Sequence, residues 1–534
     1  MISADTRAGE SRPPRTVCRG NMKMGLRILL ALLASGAVAH SATCYVATSG
    51  NDAWPGTLAQ PWKTIQKAAN TLAPGDTALV RAGIYTNPIT VSVSGSSSGG
   101  YITLANYPGE TPVIDASAAT PPSGAAGLFL LSDCRHVTIR GFELRNYKTS
   151  DISLIPAGIF VTGASDHIEI RNNNIHHIEN TGGDVSDSGN AFGIAVYGAG
   201  PQPISNLVID GNEVHHCKLG SSEAVTLNGN VVNFKITNNR VHDNNNIGID
   251  FIGFEGTCPD PAQDQARDGL CRGNVVWNIS SFGNQAYGNE YSAAGIYCDG
   301  ATRVTIERNA VFQCDYGFEL ASEHLGKATA YITVRNNFCY WNRGPGLGLG
   351  GYNESSTGNS ENCIVRNNTF FQNDTRQQGF GEILFQYRAY NYSILQNFIV
   401  ANAQNLLLSN SGAGNTGNVF NWNLYYCPGG SGVAQWGWMG ATHTGFDAWR
   451  KAGGQDANSL FADPRFVSPG TPDLHLRAGS PAVDAADPSA TAAPGELDMD
   501  GGARKVGPRL DIGADELALT GVSHWREFEA GRPE

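Results

Sequence analysis

The chain has 534 residues, with 36 Lys and Arg against 48 Asp and Glu, a formal charge of −12 and only 16% charged residues in all. So low a charge density excludes a disordered, solvating chain, and the acidic balance makes a poor electrostatic partner for nucleic acid or an anionic membrane. The 65 glycines, about one residue in eight, carry no G-X-Y period, which excludes collagen.

The first element in chain order is an address. Met24–Ala39 reads MGLRILLALLASGAVA, with Lys23 and Arg27 as a positive flank, an apolar Ile28–Leu33 run and a small-residue triplet at Ala37–Ala39. This order predicts a secretory signal peptide cleaved near Ala39–Ala42, so residues 1–42 are a signal peptide with an upstream extension. The expected location is secreted, extracellular or periplasmic. No other apolar run reaches ~18 residues, so no membrane span is expected. An exported chain permits disulfides, and Cys258 and Cys271, which bracket a polar loop, form the best candidate pair. Cys298, Cys314 and Cys339 lie in apolar strand patterns and read as buried fillers. No Cys/His spacing suggests zinc, and no metal is assigned.

The middle of the chain is a repeat. The pattern apolar-x-x-Asn-x-apolar recurs at Asn173, Asn212, Asn239, Asn309, Asn337, Asn368 and Asn397, with looser copies at Asn274 and Asn423 and with Phe142 in the Asn place. Its irregular spacing, 39 residues at the longest and 26 at the shortest, is tolerated by a solenoid of short strands and not by stacked helices. A second, Gly-led strand usually precedes each copy, as in Phe192–Gly198 and Ala294–Gly300. The repeated Asn is expected as an inward turn residue, able to adopt left-handed geometry and to bond its counterparts in the coils above and below. The fold class is therefore all-β, a parallel β-helix whose strands stack ~4.8 Å apart.

Tyr45-Val-Ala-Thr-Ser-Gly-Asn-Asp, Gly56-Thr and Pro61-Trp-Lys-Thr-Ile-Gln-Lys-Ala, together with Phe461-Ala-Asp-Pro-Arg-Phe and Asp511-Ile-Gly-Ala-Asp-Glu near the other end, resemble secreted right-handed parallel β-helix proteins of the pectate-lyase-like superfamily. The resemblance spans roughly residues 45–516. It implies a right-handed solenoid with an N-terminal capping helix, and Trp62, Ile65, Ala69 and Leu72 lie at helical spacing before Pro74-Gly75. Residues 43–516 are thus expected as one β-helix domain, with an N-terminal cap over 43–76, C-terminal coils and cap over 455–516, and a tail over 517–534. A monomer is expected.

The natural site of such a solenoid is a groove along one sheet, walled by loops. The long insertions are Glu179–Asn190, Gly253–Gly269 and Gly283–Ser292. Aligning the Gly-led strands on their glycines places Ala195, Asp250, Tyr297, Glu319 and Gly348 in one column, with Asp299 two residues further on. Asp250, Asp299 and Glu319 then share strand parity and face one side. Paired carboxylates at this reach suit glycoside hydrolysis, one as acid and the other as nucleophile or activator of water. Glu323 and His324 follow in the same turn. Tyr297, Tyr316 and Trp341 are candidate sugar platforms, because a ring offers a broad apolar face with a polar tip.

Gly295-Ile-Tyr-Cys-Asp, Arg303-Val-Thr-Ile-Glu-Arg-Asn and Glu319 resemble β-helical β-xylosidase-type hydrolases of glycoside hydrolase family 120, which implies catalytic roles for Asp299 and Glu319. The N-terminal motif is equally similar to pectate lyase family 9, whose members use a Lys or Arg base and Ca²⁺ held by Asp. Here the place of that Lys reads Gly346-Leu-Gly-Leu-Gly-Gly, and the replacement bases are Lys218, Lys327 and Arg388. Three readings follow: a glycoside hydrolase needing no cofactor and acting on a poly- or oligosaccharide, a Ca²⁺-dependent lyase, and a non-catalytic glycan-binding solenoid. The acidic balance favours a neutral glycan over a polyuronate.

Overall fold

In the computed structural model, residues 41–412 and 414–517 are described. The expected address over residues 1–40 and the tail beyond Leu517 lie outside them. Three long parallel sheets of 16, 13 and 13 strands run the length of the solenoid. The chain visits them in turn: Arg135–Arg140 in the first, Glu143–Thr149 in the second, Leu154–Thr162 in the third, then Asp166–Arg171 back in the first. This is a parallel β-helix.

The lumen is filled by side chains stacked in register. In the third sheet Ile194, Val225, Ile249, Ile296, Phe318, Leu347 and Ile383 follow one another on successive strands, all buried. Each such side chain contributes ~1.5–3 kcal/mol over its exposed state. Glycines at the corner keep the sheets close. A Cβ on Gly317 would lie 2.4 Å from Cys339 Sγ and 2.4 Å from the Gly346 carbonyl oxygen, so no larger residue fits there.

The repeated asparagines form a buried ladder at the turn from the first sheet to the second. Asn274 Oδ1 accepts from the backbone N–H and Nδ2 of Asn239 (3.0 and 3.0 Å), and Asn309 Oδ1 accepts likewise from Asn274 (2.9 and 2.9 Å). Phe142 occupies the Asn place, its N–H donating to Asn173 Oδ1. One expectation is corrected. The left-handed residue is the one before the ladder Asn, namely Asn172, Asn238, Arg308, Asn336 and Asn367, with φ between 50° and 56°. The ladder Asn supplies the bonds while its predecessor makes the bend.

The N-terminal helix Ile65–Ala69 is capped by Thr64, whose hydroxyl accepts from Lys67 N–H, and it buries Trp62, Ile65, Ala68, Ala69 and Leu72 over the first coil. Toward the other end, a hairpin (Gln435–Trp438, Ala441–Thr444) and the helix Phe446–Gly453 bury Trp436, Phe446 and Trp449. Within the stretch 455–516, Leu460–Phe461 adds a last strand to the second sheet, and among the described residues no further coil follows it. From Phe466 to Ala514 the chain lies back along the outer face of the second sheet and buries Phe466, Leu474, Leu476, Met499, Leu510 and Ile512 against Trp277, Phe312, Tyr340, Phe371 and Phe398. Glu496 fastens this strap by accepting from Asn336 Nδ2 and pairing with Arg335 and Arg366. The reason is the apolar outer face of those central strands, which needs a cover.

The expected Cys258–Cys271 disulfide is absent; both are free, buried thiols. Cys271 points into the lumen, where Asn274 Nδ2 contacts its sulfur at 3.3 Å. Cys258 instead directs its sulfur to the Gly200 carbonyl, and its N–H is held by Asp264. No described helix is long and apolar enough to cross a membrane.

Candidate active site

On the outer face of the third sheet the register reads Ala195, Thr226, Asp250, Tyr297, Glu319, Gly348. Asp250 and Glu319 therefore flank Tyr297 in one column, and Asp299 lies two residues further, beside Ala321. All three acids are brought to one face of the sheet.

A cavity of about 360 Å³ opens over this face. Glu223, Asp250, Tyr297, Asp299 and Glu323 line it from the sheet and its turns. Each long insertion contributes a wall residue: Asn190, Glu255 and Tyr287. The insertions are pinned. Asp264 accepts from Gly256 and Cys258 N–H, and Asn284 Nδ2 donates to the carbonyls of Gly220 and Asn245.

The acids are buried with few donors. Asp250 is 2% exposed, Asp299 4% and Glu223 8%. Burial raises Asp250 well above the usual carboxylate range, helped by the charges of Glu223, Asp299 and Glu323. Burial raises Asp299 likewise, with Glu323 adding to it, against the Glu323 N–H that donates to Asp299 Oδ1 at 2.9 Å. Burial pushes Glu223 up to about 8, with the nearby Glu255 charge working in the same direction. Asp250 Oδ1 has no hydrogen-bond partner.

Glu319 is also pushed by burial to about 8, but it sits under Gln386, whose Nε2 donates to Glu319 Oε1 at 3.1 Å, and it does not line the cavity. Glu323 stands at the rim, exposed to solvent. His324 is tied to the rim acid Glu255, with Nε2 2.9 Å from Oε1. Tyr297 and Tyr316 pack in one small cluster on the outer face with Ala294 and Ala321. Trp341 is elsewhere. It follows the strand Phe338–Tyr340 of the second sheet and lines a separate cavity with Trp277, His242 and Arg343.

Glu223 and Glu255 lie outside the register set by the Gly-led strands. Glu223 precedes a strand whose corner residue is Ala224 where the neighbouring coils have Gly193 and Gly248, so a search on glycine passed over it. The three candidate bases are engaged away from the cavity: Lys218 with Glu179, Lys327 over the Phe254 ring, and Arg388 with the Thr357 carbonyl. No Lys or Arg is among the residues lining the cavity.

Residues 44–209 match a family model described as Pel9A-like, right handed beta helix region, and residues 270–447 match one described as right handed beta helix region. A Bacillus subtilis (strain 168) relative, described as uncharacterized protein YwoF, is 37% identical over 439 residues, covering 82% of this chain and 91% of that protein. The chain belongs to the pectate-lyase-like right-handed β-helix family. Among solved structures, pectate lyase Pel9A is similar at 16% identity and a TM-score of 0.48, over 89% of this chain and 97% of that one. A GH136 lacto-N-biosidase from Eubacterium ramulus is similar at 16% identity and a TM-score of 0.46; the match takes in 72% of this chain and about 64% of the lacto-N-biosidase chain. Membership in this family fixes the hand of the coil as right-handed.

Proposed function

We propose that this protein is a secreted, carbohydrate-active β-helix enzyme, a glycoside hydrolase working with a carboxylate pair in the cavity of the third sheet. The observation that carries the reading is the set of buried acids, Glu223, Asp250 and Asp299, lining a cavity without a Lys or Arg. A polyuronate would bring its carboxylates into a lining of acids with no cation to offset them, whereas a neutral sugar would not.

Asp250 is the general acid. Its Oδ1 has no donor and its surroundings are acidic, so it holds its proton and delivers it to the glycosidic oxygen as the C–O bond breaks. Asp299 is the partner carboxylate, raised by burial as Asp250 is but with the Glu323 N–H on its Oδ1. The Glu323 N–H favours its charged form, which attacks the anomeric carbon or takes a proton from the attacking water. Tyr297, on the strand that carries Asp299 and paired with Asp250 on the neighbouring coil, supplies a sugar platform. Glu319, bonded to Gln386 and outside the cavity lining, takes no catalytic role in this reading.

A screen of neutral and uronic poly- and oligosaccharides tests this. New reducing ends without the ultraviolet absorbance of an unsaturated uronate are expected. Asp250→Asn and Asp299→Asn should each lower kcat by ~10²–10⁴-fold, and full turnover in either variant would falsify the assignment. The second reading, a Ca²⁺-dependent lyase, draws on the Pel9A-like match over residues 44–209. It requires unsaturated product and loss of activity in a calcium chelator.

A further inference from the structure

A second cluster lies on the outer face of the second sheet, away from the acid cavity. There the outward column reads His176, His215, His242, Trp277, Phe312 and Tyr340 on successive strands. The imidazoles of His215 and His242 stack at 5.0 Å, and His242 stacks on Trp277 at 3.9 Å. Each strand ends in a left-handed turn residue, and those of two adjacent coils are His216 (φ 52°) and Asp243 (φ 53°).

We propose that His216, His242 and Asp243 form a binding site for a borderline transition-metal ion such as Zn²⁺. One ligand atom from each lies within 4.8 Å of the others, close enough for side-chain rotation to bring them onto one ion. Two imidazoles and one carboxylate suit zinc and its neighbours, whereas Ca²⁺ and Mg²⁺ require all-oxygen shells.

The independent observation is that each ligand is already held from behind, as metal ligands are. Glu213 Oε1 lies 3.2 Å from His242 Nε2, which leaves Nδ1, the nitrogen 2.6 Å from Asp243 Oδ2, to face the ion. His215 Nδ1 lies 2.7 Å from His216 Nδ1, which leaves Nε2 of His216. Asn278 Nδ2 donates to Asp243 Oδ1 at 2.5 Å, which turns Oδ2 toward the imidazoles. His216 is exposed, so an ion has an entry path, and His242 and Asp243 border a cavity of about 810 Å³ that leaves room for a fourth, non-protein ligand.

The test uses the untagged chain, stripped with a chelator and titrated with Zn²⁺ by calorimetry and with Co²⁺ by visible absorption. One saturable site per chain is expected, with the intense visible bands of four-coordinate Co²⁺ and a change in tryptophan emission from Trp277. His216→Ala and Asp243→Asn should each remove it, and Glu213→Gln should weaken it ~10–100-fold. Unchanged circular dichroism and urea midpoints establish that the variants are folded; His216 is exposed, so at least that substitution leaves the core untouched. Absence of saturable binding overturns the proposal. So does zinc binding that survives both ligand substitutions, including binding that is lost instead when Asp500 of the separate His475, Asp500, Asp515 group is replaced.

Discussion

Asn309 and Asn274 are joined twice: the Asn309 carboxamide oxygen accepts from both the backbone N–H and the side-chain Nδ2 of Asn274, each at 2.9 Å. Both residues are fully buried, so every donor in the ladder depends on the acceptor of the next coil. Asn309→Ala orphans two donors at Asn274 and the Cys271 carbonyl that Asn309 Nδ2 serves. An orphaned buried group costs ~1–3 kcal/mol, so the variant should lose about 3 kcal/mol or more in urea unfolding. Asn238→Ala, at the exposed left-handed position beside the ladder, should lose only ~1–2 kcal/mol.

The buried acids of the third sheet cost stability, and pH should reveal it. Glu319 is raised from 4.5 to about 8 in the folded protein, so its penalty is absent below about pH 4.5 and grows as pH rises through 8. Glu319→Gln should therefore raise the unfolding midpoint at pH 8 by the equivalent of a few kcal/mol. The gain should vanish near pH 4.5. Equal gains at both pH values would sink this account.

Glu255 gives a handle on the titration of the cavity acids. Its charge helps to hold Glu223 at about 8, so Glu255→Gln should lower the Glu223 pKa. The Glu223 carboxyl titration should move to lower pH, read by carbon-13 NMR of the labelled side chain; a titration that stays put or moves upward contradicts the coupling.

The strap has its own pH dependence. His475 is raised to about 9: burial pulls it down, but the hydrogen bond to Asp500 and the charges of Asp515 and Asp500 outweigh that. A raised imidazole stabilises fully below its ordinary 6.5 and loses that contribution as pH climbs through 9. His475→Asn should thus be destabilised at pH 6 by the order of a few kcal/mol and approach the parent protein above pH 9. Urea midpoints across this range measure the difference.

Much of this architecture was readable from spacing. The Asn repeat marks one turn per coil, and the glycine alignment recovers the column of Asp250, Tyr297 and Glu319, because backbone crowding at the corner forces glycine in those coils. Where crowding is slightly relieved, at Ala224, the signal fails and Glu223 is lost with it. Trp341 was misplaced because strand parity says which way a side chain points but not which of three sheets carries it. Cys258 and Cys271 suggest a pair because they bracket a polar loop in a chain expected to be exported, whereas Cys271 belongs to the lumen by parity. The strap was invisible because apolar Phe312, Tyr340 and Phe398 look the same in sequence whether they face a lumen or an outer cover.

That strap carries a consequence for biogenesis. The C-terminal segment covers no strand before Val275, so the earlier coils can stack without it as the chain is made. Those from Val275 to Leu424 emerge with an apolar stripe that only the last part of the chain, from Phe466 to Ala514, can cover. The central coils therefore wait, sticky and incomplete, for the C-terminal segment, and a chain truncated before Phe466 would expose that stripe permanently to aggregation.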